Sequence, residues 1–390
     1  MRDLLFLAHR APFPPDRGDK IRSYHLLRHL AQRWRVHLAA FIEGEDETVV
    51  REGLAPFTAG VALVRRTKGR VRAALEAIAT GRPVSLAAFD SPALQRAVDD
   101  AIAAQDITTA FVFSSQMAHY VDAFSGPIVM DFVDMDSAKF AAYADTARGP
   151  MRWMMRREAR LLLAHDAGVA RRAEASLFVS EAEAALFRSR AVGARIHAVE
   201  NGIDTDRYDP AIPAENAPHP LIVFTGQMDY RPNIDAVAAF AQNVLPVIRI
   251  GHPGAHFAIV GREPAPAVRA LAAQDGVIVT GEVPDVRPWL AAADVVVAPL
   301  TLARGVQNKV LEAMAMARPV VASPQAAEGI DHDGTIRVAE ARGQARAVLD
   351  LLADPDTAAA LGKAARAQVI ARYGWDARLA PLDALMEPAP

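Results

Sequence analysis

Within residues 302–329 (LARGVQNKVLEAMAMARPVVASPQAAEG), Arg304, Asn308, Lys309 and Glu312 surround one predicted helix start. Val310, Leu311, Ala313, Met314, Ala315 and Met316 leave a helix over 309–316 little polar surface. Pro319 ends it, and 320–322 reads as a short parallel strand. A helix N-terminus gathers backbone N–H donors and partial positive charge, which suits phosphate. A carboxylate one turn further in suits the diol of a sugar, and phosphate with ribose means a nucleotide. The plain alternative is a Lys309–Glu312 pair that only holds the helix in place.

Other junctions carry polar groups of the same kind. His9 to Ser23 (HRAPFPPDRGDKIRS) follows the first apolar run. Gly18 permits close backbone approach, while Arg17, Lys20 and Arg22 supply positive charge beside Asp19. The loop is not GxGxxG, so it does not favour a dinucleotide, and a charged surface turn is the competing reading. After a strand ending near Phe113 come Ser114, Ser115 and, one helical turn on, His119; a lone histidine is more often packed than catalytic. Asp131, Asp134 and Asp136 are spaced like a metal site, but also suit acceptor hydroxyls or a helix cap. In the second half, Gly226, Gln227, Arg231 and Asn233 follow one strand, Gly261 and Arg262 another, and Val283 closes a third turn.

These groups need a scaffold that brings many strand ends to one edge. Apolar runs at 4–8, 36–41, 61–64, 110–113, 128–132 and 176–179 alternate with helical stretches such as 20–33 and 91–104. A second series lies at 221–224, 256–260, 277–280, 295–298 and 320–322, followed by a helix over 356–373. Strand and helix in alternation predict an α/β fold with two parallel sheets, whose ligands sit outside the carboxyl ends of the strands. Pro210, Pro213, Pro218 and Pro220 mark 205–220 as a linker. The expected division is therefore 1–204, linker 205–220, 221–370, and 371–390 as a returning segment.

The 302–329 stretch resembles the donor-site motif of retaining glycosyltransferases of family 4, which have the GT-B fold of two facing Rossmann-like domains. That motif has two Glu with seven residues between them, then Ala-Met-Ala, a Gly and Pro-Val-Val. Glu312 matches the second Glu, which in the family holds the ribose hydroxyls; Arg304 stands at the first, and Arg318 at the usual Gly. A subgroup with RG-x-x-NK-V-LEAMA here is similar to sugar transferases of exosortase (PEP-CTERM)-associated exopolysaccharide clusters. Residues 201–204 (NGID) resemble the close of the family's first domain, and Tyr373-Gly374-Trp375 the point where the last helix crosses back.

The resemblance implies a nucleoside-diphosphate sugar donor held by Gly18, Gly226, Gln227, Arg231, Asn233, Gly261, Arg262, Val283, Gly305, Asn308, Lys309 and Glu312. Relatives carry Arg and Lys where Gln227 and Asn233 stand, so Arg231, Arg304 and Lys309 are expected to replace those cations. Catalysis is assigned to Arg304, Lys309, Glu312 and His119, and the acceptor side to Asp19, Lys20, Arg22, Asp134 and Asp136. No metal and no other cofactor are implied, because family members neutralise the diphosphate with protein cations. The leaving diphosphate itself can deprotonate the acceptor on the same face.

At 390 residues the chain suits two domains, and 52% hydrophobic with 23% charged residues suits a well-packed protein. A net charge of −3 gives no global reason to bind nucleic acid, and the absence of Cys removes disulfides and thiolate chemistry. The first residues are too short for a signal peptide, and a spanning helix is not expected. Met151 to Arg157 and the run Arg65, Arg66, Lys68, Arg70, Arg72 mix cations with apolar groups and suit an anionic membrane surface, although a solvated helix face is the more common explanation of such stretches. The expected partners are a nucleotide sugar, a glycan or lipid-linked saccharide acceptor and anionic membrane. The expected location is the cytoplasm, at the inner face of its membrane. A nucleotide-sugar 2-epimerase or glycan phosphorylase on the same fold, or a non-catalytic sugar-nucleotide binder, are the rival readings.

Overall fold

A computed structural model of the chain describes residues 1–303 and 306–387. It separates into two compact units, Met1–Asn201 with Arg378–Pro390, and Gly202–Ala377.

The first unit is built on β1 (Arg2–Ala8), β2 (Trp34–Ile42), β3 (Gly60–Arg65), β4 (Ile107–Phe113), β5 (Ile128–Val133), β6 (Ala175–Phe178) and β7 (Ile196–Ala198). All pair in parallel, in the order β3-β2-β1-β4-β5-β6-β7. Six of the seven residues of β1 are buried, as a strand covered on both faces requires. The order reverses between β1 and β4, so Ala8 and Phe113 end side by side and the loops after them open the crevice of this sheet.

The second unit repeats the plan with β8 (Leu221–Thr225), β9 (His256–Val260), β10 (Val277–Gly281), β11 (Val295–Ala298), β12 (Val320–Ala322) and β13 (Arg337–Val338). Their order is β10-β9-β8-β11-β12-β13, again parallel. The helical run Arg231–Gly251 is long and apolar enough, by composition alone, to cross a bilayer, contrary to the expectation that no such segment exists. It instead buries Ala236, Val237, Phe240, Ala241, Leu245 and Ile248 in the core of this unit.

The units divide at 201/202 and 377/378, not at 204 and 370. Nor is 205–220 a free linker. Tyr208, Ile212 and Ala217 pack on the second core, and Arg366 donates to the carbonyls of Tyr208 (2.7 Å) and Thr205 (3.2 Å). Proline blocked regular structure there without preventing packing. The two short motifs of the crossings meet: Ile203 bridges Gly374, its N–H donating to Tyr373 at 2.7 Å. A Cβ on Gly202 would come within 2.5 Å of Trp375 Cα, so only glycine fits. After the return, Asp383 pairs with His29 and Arg33, each at 2.9 Å, and Arg378 with Glu200 at 2.9 Å.

Candidate functional site

At the carboxyl edge of the second sheet, loops after β8, β9 and β10 and the helix Asn308–Ala315 enclose a cavity of about 650 Å³. Gly226 and Gly261 form its floor. The Gly226 carbonyl lies only 1.6 Å from where a Cβ on Gly261 would stand, and a Cβ on Gly226 would crowd Asn233 Nδ2 (2.9 Å) and Lys309 Nζ (3.0 Å). Two strand-end turns can touch here because neither carries a side chain.

Lys309 is the chemical centre of this pocket. Its Nζ donates to Asn233 Oδ1 at 2.6 Å and sits 4.2 Å from the centre of the Phe224 ring. Asn233 is fixed in turn by donating Nδ2 to the Gln227 carbonyl at 2.8 Å. Burial lowers the Lys309 ammonium to a pKa of about 8, against the pull of Glu312. Glu312, one turn along the helix, also lines the cavity, and burial raises its carboxyl above the usual range while a hydrogen bond from Tyr208 and the Lys309 charge oppose that. The Tyr208 hydroxyl is raised by burial and by that carboxylate. A cation bound to a neutral amide oxygen retains unmet attraction for an anion, and a carboxylate with a free oxygen can take a diol.

Gln227, Arg262, Val283 and Asn308 also line the cavity, with Arg262 Nη2 3.4 Å from Gln227 Oε1. Arg231 does not join them: it is exposed and pairs with Asp235 at 2.8 Å. Its expected role as a replacement cation is therefore corrected, since its own i+4 neighbour on the helix surface takes the guanidinium. Arg304 and Gly305 lie outside the described residues. Ala317, with φ 53°, is the residue in left-handed conformation after the helix, so the position whose backbone favours glycine is Ala317 and not Arg318. Glu282 lines the cavity beside Val283, in the turn already singled out, whereas Tyr208 was missed by sequence reasoning. Tyr208 sits in the supposed linker, where only its aromatic type among prolines hinted at packing.

The first unit differs from expectation more sharply. Lys20 and Arg22 are buried at 1% exposure, Lys20 on Glu45 at 2.7 Å and Arg22 on Asp131 at 2.9 Å and Asn201 at 2.8 Å. Both are corrected from acceptor contacts to internal ion pairs. Asp19 accepts from Arg10 at 2.8 Å and lies 3.2 Å from His9 Nε2, and those contacts, His9 foremost, hold its carboxyl well below the usual range despite burial. Gly18 opens the helix Gly18–Ala31, and no atom lies within 4 Å of where its Cβ would stand, so a side chain would fit there and the glycine answers no steric demand.

His119 is not at the strand edge. It packs on Tyr120 with ring centres 4.0 Å apart, and burial lowers its pKa to about 4, which leaves it neutral and inward. The imidazole beside the end of β4 comes from the residue that follows β1: His9 stacks on Phe113 at 5.6 Å, with Nδ1 3.3 Å from Ser114 Oγ. Asp134 and Asp136 share Lys139, at 2.7 and 3.3 Å, while Asp131 is held inside by Arg22. Among the described residues no group of three or more His, Cys, Asp or Glu is placed to hold a metal ion.

Residues 219–354, which contain this whole pocket, match the family model described as glycosyl transferases group 1. The chain is similar to the α-maltose-1-phosphate synthase of Mycolicibacterium smegmatis, 32% identical over 46% of this chain and 54% of that protein. It is similar also to the GDP-mannose-dependent α-(1-6)-phosphatidylinositol monomannoside mannosyltransferase of Mycobacterium tuberculosis, 33% identical over 46% and 53%. The chain thus spans about half the length of the curated relatives it matches. In three dimensions it is similar to Anabaena HepE, crystallised with UDP and glucose, with TM-score 0.58 and 16% identity over 98% of this chain and 99% of that one. The fold is GT-B, with two Rossmann-like units in one chain.

Proposed function

We propose that the protein is a metal-independent retaining glycosyltransferase that moves a sugar from a nucleoside-diphosphate sugar to a glycan acceptor, lipid-linked, in exopolysaccharide or cell-surface polysaccharide synthesis. It works at the inner face of the cytoplasmic membrane. The observation that carries this reading is the pairing, in one pocket, of Lys309, whose hydrogen bond among the described residues goes to a neutral amide oxygen, with Glu312 one turn away. Lys309 meets the charge that grows on the leaving diphosphate, and fixed charge of that kind is the largest catalytic contribution available to such a site. Glu312, oriented by Tyr208, accepts the ribose hydroxyls. Relatives whose printed names specify GDP-mannose, and a structural neighbour holding UDP and glucose, support a nucleotide-sugar donor.

Labelled UDP-, GDP- and ADP-sugars incubated with membrane extract test it, with products resolved as transferred, hydrolysed or unchanged sugar. Transfer with retained anomeric configuration is expected. Binding without turnover by any donor would leave only a nucleotide-sugar binder, and exchange of configuration at C2 would make it an epimerase. Transfer should stay within about twofold of the control in excess EDTA, well short of the tenfold that about 1.4 kcal/mol would produce. Loss of activity restored by Mn²⁺ or Mg²⁺ would overturn the metal-independent part.

A further inference from the structure

The helix Arg70–Thr80 of the first unit is turned inside out. Among its described side chains, those fully buried are two alanines, Ala73 and Ala77. Its large apolar side chains look outward, with Val71 76%, Leu75 65% and Ile78 50% exposed. Positions 71, 75 and 78 fall on one stripe of a helix, opposite 73 and 77. The orientation is fixed, since Arg157 donates to the Ala77 carbonyl at 2.7 Å and Lys68 clamps Glu76 at 2.9 Å and the Ala87 carbonyl at 2.9 Å. Three aliphatic side chains held in water by a rigid backbone imply an apolar phase that covers them.

The surrounding charge identifies that phase. Between Arg65 and Arg82 stand six cations and one carboxylate, in a chain whose net charge is −3. On the helix Gly149–Arg172, to which Arg157 ties the stripe, Trp153 is 58% exposed among Arg152, Arg156 and Arg160. None of these three arginines, nor Arg65 or Arg72, has a carboxylate partner among the described residues. A second copy of the chain in a two-fold contact would set these cations against themselves. An indole ringed by arginines beside a short aliphatic stripe suits the headgroup level of an anionic bilayer.

We infer that Val71, Leu75 and Ile78 insert into the acyl boundary of an anionic membrane, with Trp153 and its neighbouring arginines at the headgroups. The docking face serves the lipid-linked acceptor proposed above and rests on that reading for its purpose, but vesicle binding is read apart from nucleotide binding, so either can fail alone. The test is sedimentation of the full chain with vesicles of phosphatidylcholine containing three-tenths phosphatidylglycerol, against pure phosphatidylcholine. Binding to the anionic vesicles only is expected, with partition lowered at least about tenfold in Leu75→Glu/Ile78→Glu, since each buried aliphatic group contributes about that factor. UDP or GDP affinity by calorimetry should be unchanged in the same variant. Amide exchange across 71–79 in the unmodified protein, slowed by anionic vesicles alone, keeps the test open if the variant folds poorly. Wild-type protein left in the supernatant, equal partition onto both vesicles, or a dimer that the double variant dissolves would each overturn the inference.

Discussion

The carboxyl edges of the two sheets hold similar sets of charged side chains but leave them in opposite states. In the first unit the cations after β1 are matched within the protein: Lys20 to Glu45, Arg22 to Asp131, and Arg10 to Asp19. In the second, Lys309 faces a neutral amide oxygen and an aromatic ring, and burial already weakens its hold on a proton. A buried ion pair fixes structure, whereas a desolvated ammonium without a bonded anion is poised for one. Positive charge in a loop therefore says little about anion binding until its partners are counted.

The sharpest way to break this contrast is to remove one cation from each edge. Lys309→Met should lower kcat/KM for nucleotide-sugar turnover by about 10²–10³, the scale of one lost charge-stabilising group. The same change should raise stability by about 1 kcal/mol, because the folded-state pKa lies below that of an unfolded lysine, so the charged form is disfavoured in the fold at neutral pH. Arg22→Met should act in reverse. It strands the buried Asp131 and costs about 3–5 kcal/mol of stability, while nucleotide affinity of the remaining folded protein holds. Melting curves and titrations on both variants decide; two variants that change in the same direction would mean that Lys309 is a structural cation after all.

Glu312→Ala comes next. Loss of a charged acceptor for two ribose hydroxyls should cost about 2–3 kcal/mol of nucleotide affinity by calorimetry. Tyr208→Phe, which removes only the hydroxyl that orients the carboxylate, should cost about 1 kcal/mol. Equal losses in the two variants would place Tyr208 itself on the nucleotide.

What the residues disclosed follows the same division. Strands such as β1 and β11 were legible because a parallel strand buried on both faces reads as an unbroken apolar run. β7 and β13 were not, since three and two residues carry no period. Lys309 and Glu312 were legible as a pair because one helical turn fixes their relation. Lys20 and Arg22 were misread because their partners, Glu45 and Asp131, are 25 and 109 residues away in the chain. His119 and His9 changed places for a similar reason: which strand end lies beside Phe113 is set by sheet order, not by sequence order.

Acidity offers a finer test of the pocket. With Lys309 at about 8 in the empty site, a bound diphosphate should restore its proton, so binding takes up protons above neutrality. Nucleotide affinity should then fall about tenfold between pH 7 and 9, with about half a proton taken up at pH 8. Calorimetry in buffers of different ionisation enthalpy measures this directly. A binding enthalpy at pH 8 that is independent of buffer would separate Lys309 from the phosphates, and Lys309→Met should flatten the profile.

The smallest effect concerns the turn that ends the Lys309 helix. Arg318 N–H donates to the Ala313 carbonyl and Ala317 N–H to Met314, each at 3.0 Å, a closure that places Ala317 at φ 53°. A side chain in that conformation costs about 1 kcal/mol, and glycine would relieve it. Glycine also gives the unfolded chain about 0.4–1 kcal/mol of extra freedom, which offsets most of the relief. Ala317→Gly should therefore leave the melting temperature between unchanged and about 3 °C higher. Nucleotide affinity should not move, because Ala317 does not line the pocket that holds Lys309 and Glu312. A fall of several degrees would show that the alanine methyl is packed and outweighs the backbone strain; a change in affinity would show that the turn sets the pitch of the helix on which both pocket residues stand.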